Sequence, residues 1–262
     1  MSINTTLNYS PNFDTKKRKF KQIKFIIFHY TGMKNEKDAI KLLTSNKSKV
    51  SSHYFIKYNG EVITLVPELY ISWHAGISSW QNYKSINKHS IGIEISNPGH
   101  SCNYKKFSKE QIHSILNLSK YLVKKYKIEF ILGHSDVAPY RKKDPGEKFP
   151  WKKLAKKKLC HWHNLNEKKI KKFRLLKLKK KKKKIFFKNL HNIGFPKISL
   201  NEYNSSSNSS SSKDSDGDLS SKPPITRTPR HLSCSKNLPF ISDAAIPPTK
   251  ILLCCWFVIL EA

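Results

Sequence analysis

Residues 22 to 29, QIKFIIFH, form an apolar run of β-formers, which predicts a buried strand ending at a histidine. A turn at Gly32 follows, and Glu36 to Leu43 has the apolar spacing of a short amphipathic helix. In SSHYFIKYNGEVITLVPE, apolar residues alternate on both sides of Asn59-Gly60, which predicts a hairpin closed by a tight two-residue turn. SIGIEIS predicts another strand. From Phe107 to Tyr126, Ile112, Ile115, Leu116, Leu118, Leu122 and Val123 fall at helical spacing, and Ser108 with Gln111 makes a capping-box pattern ahead of them. Ile128 to Gly133 predicts a further strand, and it too runs into a histidine. Strands interleaved with helices place this part of the chain in the α/β class, as a single domain with a central mixed sheet flanked by helices.

From Trp151 the pattern changes. Two helices are expected, around Glu167 to Leu178 and around Ile185 to Ile193, separated by the unbroken run Lys179 to Lys184, whose self-repulsion disfavours compact packing without an anion. From Asn201 the chain is rich in Ser and Asn, then in Pro, without periodicity, and reads as disordered. The expected organisation is a folded domain over 1–160, a basic helical segment over 161–200 and a disordered tail over 201–262.

Composition changes this picture little. The net charge of +32 is spread over both halves and is denser after residue 150. Such a charge favours polyanions, but lysine is abundant everywhere, and no interleaving of aromatic and basic residues suggests base stacking. No specific nucleic-acid partner is expected. The five cysteines, Cys102, Cys160, Cys234, Cys254 and Cys255, are odd in number and mostly outside the domain, which argues against a disulfide framework. The N-terminal residues carry no apolar signal region, so the expectation is cytoplasmic, with export by another route left open. Ile251 to Leu260 is apolar but too short to span a bilayer as a helix, so no transmembrane anchor is expected.

The candidate chemistry lies at the strand ends. FIIFHYTG ends a strand at His29 and EFILGHSD ends another at His134, where side chains converge on a rigid edge. Ten residues beyond His134, Asp144 stands before Pro145 and Gly146 in RKKDPGEKFPW. Two imidazoles and a carboxylate are a common ligand set for catalytic zinc with an open fourth position. On spacing alone, each histidine is as readily a hydrogen-bonded residue at a core edge.

The blocks SPNFD, FHYTGM, VSSHYFI, WHAGISSW, SIGIEISNPGH and GHSDVAPYRKKDPGEKFPW, in this order from Tyr9 to Trp151, resemble the amidase-2 family of N-acetylmuramoyl-L-alanine amidases, of the AmpD and AmiD type. The resemblance implies a fold like that of peptidoglycan-recognition domains. It implies Zn(2+) held by His29, His134 and Asp144, with Glu94 and Lys142 as catalytic residues. Glu94, on a strand otherwise filled by Ile91, Ile93 and Ile95, would sit at the edge of an apolar wall, orient or deprotonate a zinc-activated water and pass the proton to the leaving amine. Lys142 would stabilise charge developing on the carbonyl oxygen. Tyr30, His53, Trp73, His74, Trp80, Asn97 and Arg141 are expected to shape the groove for sugar and peptide. The implied partner is peptidoglycan or a muropeptide, in cell-wall turnover or recycling. A competing reading is a protein that recognises peptidoglycan without cutting it; another is a nucleic-acid or anionic-surface protein driven by its basic tail. The resemblance ends at Gly194, and the oligomeric state is not legible.

Overall fold

The computed structural model describes residues 3–162, 166, 168 and 180–197. In chain order its elements are β1 (Thr6–Leu7), β2 (Phe13–Asp14), β3 (Phe25–Tyr30), α1 (Glu36–Thr44), β4 (Tyr54–Ile56), β5 (Val62–Thr64), β6 (Ile71–Ser72) and β7 (Ser79–Trp80). They continue with β8 (Tyr83–Lys84), β9 (Ser90–Ile95), α2 (Lys109–Tyr126), β10 (Phe130–Gly133), α3 (His134–Val137), α4 (Trp151–Lys156) and α5 (Lys180–Asn192). Six strands make one mixed sheet in the order β1-β5-β4-β9-β3-β10, antiparallel only between β4 and β5.

Strand periodicity divides the side chains between two faces. Ile26, Phe28, Tyr54, Ile56, Ile91, Ile93, Ile95 and Ile131 lie on the first face and pack under Ile115, Leu118 and Leu122 of α2. The helix begins as its sequence predicts: Ser108 Oγ accepts from Gln111 N at 3.0 Å, and Gln111 Oε1 accepts from Ser108 N at 3.0 Å. On the second face, α1 covers Phe55 and Ile63 towards one edge. Towards the other edge, Phe25, Ile27 and Leu132 meet Trp80, Phe186, Phe187, Leu190 and Phe195. Between these two apolar clusters, β9 places Gly92 and Glu94 and β3 places His29, with Glu94 directly beside His29 in register. Glu94 therefore faces away from Ile91, Ile93 and Ile95.

Two local expectations are revised. The hairpin turn is longer than two residues: Lys57 N donates to Glu61 O at 2.9 Å and Gly60 N to Lys57 O at 3.0 Å. Gly60 takes φ +85 there, and a Cβ on it would lie 2.8 Å from the Glu110 carbonyl oxygen, so glycine is needed for both conformation and space. The lysine run does not stay outside regular structure, because Lys180–Lys184 open α5, with Lys182 and Lys184 exposed to solvent. Lysine is a good helix former whose charge stays in water while Phe186, Phe187 and Leu190 do the packing. Cations in a first turn oppose the helix dipole, so α5 is held by its aromatic face rather than by its start. The helix expected around Glu167 to Leu178 and the tail from Asn201 lie outside the described residues.

Candidate metal centre

Because β3 and β10 are parallel neighbours, with Gly133 opposite Phe28, the residues that come after this pair emerge side by side. His29 is the penultimate residue of β3 and His134 immediately follows β10. Asp144 is returned to them by its own loop. Ser135 N donates to the Asp144 carbonyl at 2.9 Å, and the Tyr104 hydroxyl donates to the Pro145 carbonyl at 2.6 Å. All three side chains are buried.

His29 Nδ1 lies 2.9 Å from His134 Nδ1 and 3.0 Å from Asp144 Oδ2, and His134 Nδ1 lies 3.1 Å from the same oxygen. Ligands about 2.0 Å from a tetrahedral zinc stand about 3.3 Å apart, so this triangle has the right size for that ion. The chemistry of the donors agrees. His134 Nε2 faces the Ala75 carbonyl oxygen at 3.1 Å and must carry the proton, which leaves Nδ1 as a bare lone pair aimed at Oδ2. Lone pairs facing one another at this distance repel unless a cation lies between them. Burial and the charge of His134 push His29 down to about 4. Burial alone would raise the Asp144 carboxyl, but the charges and hydrogen bonds of His134 and His29 hold it well below the usual carboxylate range. A His29 imidazole that resists protonation beside an ionised Asp144 carboxylate suits metal binding, which needs deprotonated ligands.

Glu94 stands beside this set, half-buried, and its Oε2 has no hydrogen-bond partner among the described residues. Burial and then the charge of Asp144 push its carboxyl up to about 8, against the opposing pull of Lys142. Lys142 thus acts on the site electrostatically from the loop that carries Asp144. His74 touches His29 directly, Nδ1 to Nε2 at 3.0 Å.

The other expected groove residues are placed differently from one another. His53 is fully buried, with Nδ1 accepting from Gly92 N at 3.0 Å and Nε2 facing the Tyr70 carbonyl at 3.0 Å, so both ring nitrogens are engaged within the protein. Asn97 is buried and spends its amide on Lys105 O and Gly99 N. Trp80 is buried against Phe195. Tyr30, which alternates to the opposite side of β3 from His29, reaches His100 Nδ1 at 2.9 Å. The Trp73 indole donates to Asp14 Oδ1 at 2.7 Å. Arg141 donates to Ala75 O at 3.2 Å and Ile77 O at 2.5 Å, tying down the loop behind the ligands.

Several contributors carry no motif of their own. The buried Arg18 guanidinium donates to the carbonyls of Glu68, Asn87 and Ser90 and anchors the start of β9. Ser90 accepts from or donates to His74 Nε2 across 3.0 Å. Gly92 lies under the His74 ring, where a Cβ would be 2.6 Å from Cδ2. Its place in the middle of a strand pattern was a signal for such a close approach.

The N-acetylmuramoyl-L-alanine amidase family known as amidase-2 matches residues 19–147. AmiD of Escherichia coli is 37% identical over 157 residues, covering 55% of this chain and 56% of that protein. AmpD of Haemophilus influenzae, a 1,6-anhydro-N-acetylmuramyl-L-alanine amidase, is 36% identical over 108 residues, covering 40% of this chain and 56% of that protein. The chain thus spans little more than half the length of these curated relatives. Among solved structures, Escherichia coli AmiD in complex with anhydro-N-acetylmuramic acid-L-Ala-D-γ-Glu-L-Lys superposes with a TM-score of 0.58 at 28% identity, covering 72% of this chain and 79% of that chain. AmpDh3 of Pseudomonas aeruginosa in complex with anhydromuramic pentapeptide gives 0.58 at 26% identity, covering 75% and 84%. Residues 19–147, folded around a buried His-His-Asp triangle, match the amidase-2 family of N-acetylmuramoyl-L-alanine amidases.

Proposed function

We propose that the chain hydrolyses the amide bond between the lactyl group of N-acetylmuramic acid and L-alanine of the peptidoglycan stem peptide, with zinc held by His29, His134 and Asp144. The observation that supports this reading is the meeting of three metal-type donors beside a carboxyl group with an unpartnered oxygen. When bound, zinc acidifies water near neutral pH and polarises a carbonyl. Glu94 takes the proton of the attacking water and delivers it to the departing amine. Lys142 places its cation where the carbonyl oxygen gains negative charge. Tyr30, Trp73 and Arg141, half-buried or exposed, offer edges for a sugar and an acidic peptide.

The substrate class we assign is that of the ligand bound by Escherichia coli AmiD, an anhydro-muramyl peptide. The role is cell-wall turnover or recycling, with the cytoplasm as the proposed compartment. Among the described residues no helix is long and apolar enough to cross a membrane. The test is release of L-alanine-terminated peptide from purified anhydro-muropeptide and from sacculi. Release should disappear on chelation, return with zinc and be absent in Asp144→Ala. Undiminished release after metal removal, or a variant as active as the parent, overturns the proposal. Binding without release assigns the chain to non-catalytic peptidoglycan recognition instead.

A further inference from the structure

We infer that His74 and Ser90 form a positioning relay that dictates which nitrogen of His29 carries the proton, so that Nδ1 is kept free for the metal. This rests on the zinc reading above and gives His74 a role other than touching substrate. The direction of each bond comes from the far end of the chain of contacts. The Ser90 hydroxyl lies 2.7 Å from the Ile86 carbonyl oxygen, which can only accept. A hydroxyl has one hydrogen, so it is committed there, and Ser90 Oγ is left to accept from other groups. His74 Nε2, 3.0 Å from Ser90 Oγ, must therefore be the donor. A neutral imidazole has one N–H, so His74 Nδ1 is an acceptor, and it faces His29 Nε2 at 3.0 Å. His29 Nε2 must then hold the proton, which leaves Nδ1 bare where it meets His134 Nδ1 and Asp144 Oδ2.

The relay is built to hold this geometry. Arg18 donates to the Ser90 carbonyl at 2.7 Å, fixing the acceptor end. Gly92 gives the His74 ring its seat on β9. Asn87 Oδ1 accepts from Ala75 N at 2.8 Å and from His74 N at 3.3 Å, which sets the backbone of both residues. The next residue, Ala75, orients the other imidazole ligand through its carbonyl. Two adjacent residues of the WHAG segment thus set the tautomers of both histidine ligands, the part that outer-shell partners play around catalytic zinc.

The experiment compares zinc affinity of the full chain, by competition with a chromophoric chelator, for the parent, His74→Leu and His74→Asn. Asparagine places an amide oxygen where Nδ1 stood; leucine has no acceptor. We expect His74→Leu to weaken zinc binding about 10- to 100-fold and His74→Asn to recover most of that loss. Equal affinity in His74→Leu and the parent, or asparagine binding no tighter than leucine, overturns the relay, because packing alone would treat both variants alike. A parent that binds no zinc overturns the metal reading and the relay with it. Should either variant fail to fold, 15N imidazole spectra of the zinc-loaded parent decide the question. The relay requires the proton on Nε2 of both His74 and His29, with His74 Nδ1 unprotonated and His29 Nδ1 on the zinc, and a proton on Nδ1 of either ring overturns it.

Discussion

Gly92→Ala is a single added methyl group with a consequence that can be worked from distances. Gly92 is not among the glycines with positive φ, so alanine meets no backbone penalty and only space decides. The new Cβ would stand 2.6 Å from His74 Cδ2 and 2.7 Å from its Nδ1, about 1 Å inside normal contact. Neither side yields cheaply. The His74 ring is held between His29 and Ser90 at 3.0 Å on each side, and Gly92 N donates to the buried His53. Overpacking of this kind costs about 1–3 kcal/mol, and displacing the ring adds roughly 1 kcal/mol for each hydrogen bond lost. We expect urea unfolding of the metal-free protein to show a midpoint lowered by about 2–4 kcal/mol of stability at unchanged m-value, together with weaker zinc binding. A variant with the parent's midpoint and the parent's zinc affinity would refute the placement of His74 over Gly92.

Glu94→Gln should lower kcat by about 10²- to 10⁴-fold while zinc affinity is retained; loss of zinc with the activity would make Glu94 structural. In the metal-free protein the same pair has a pH signature. A carboxyl raised to about 8 resists ionisation in the fold, so the parent should lose stability relative to Glu94→Gln as pH rises from about 4.5 to 8. His29, held down to about 4, works in the other direction: the unfolded chain takes up its proton first. The parent should therefore gain stability relative to His29→Gln between pH 4 and 6.5, by on the order of 3 kcal/mol in thermal or urea melts, and a flat difference would contradict the burial of His29. Leu190→Ala on α5 should cost about 2–5 kcal/mol in a single cooperative unfolding transition. An unchanged midpoint would mean that α5 adds nothing to the domain.

The parts of this site that could be read from the chain are those encoded by short periodicities. β3, β9 and β10 are dense apolar runs, and two of them deliver histidines directly, so His29 and His134 were visible as a pair without any fold. The partition of Glu94 from the three isoleucines was also implicit in a period of two, but which face held the site depended on α2 and α5 choosing their sides. Two-residue strands such as β7 and β8 leave no periodicity to detect. His53 and Asn97 sit in blocks rich in chemistry, yet what engages them is backbone from segments far along the chain, which no local pattern announces. Arg18 shows the same limit in reverse: nothing in the lysine-rich N-terminal sequence sets it apart from its solvated neighbours, and only tertiary packing gives it three carbonyls to hold.

The docking of α5 also decides where this protein can be cut. Residues 1–160 look like a natural expression unit, since the family's blocks end at Trp151. Ending the chain there would strip Phe186, Phe187, Leu190 and Phe195 from Trp80, Phe25, Ile27 and Leu132, laying bare a contiguous oily patch of the kind that drives precipitation. A shortened form should instead end just after Lys197, keeping the helix and discarding residues 198–262, whose six Lys/Arg and six Asp/Glu cancel, so that the basic excess stays with the retained chain. Poor solubility of a cut at 160 would then report on a missing cover over the sheet and would not count against the proposed activity.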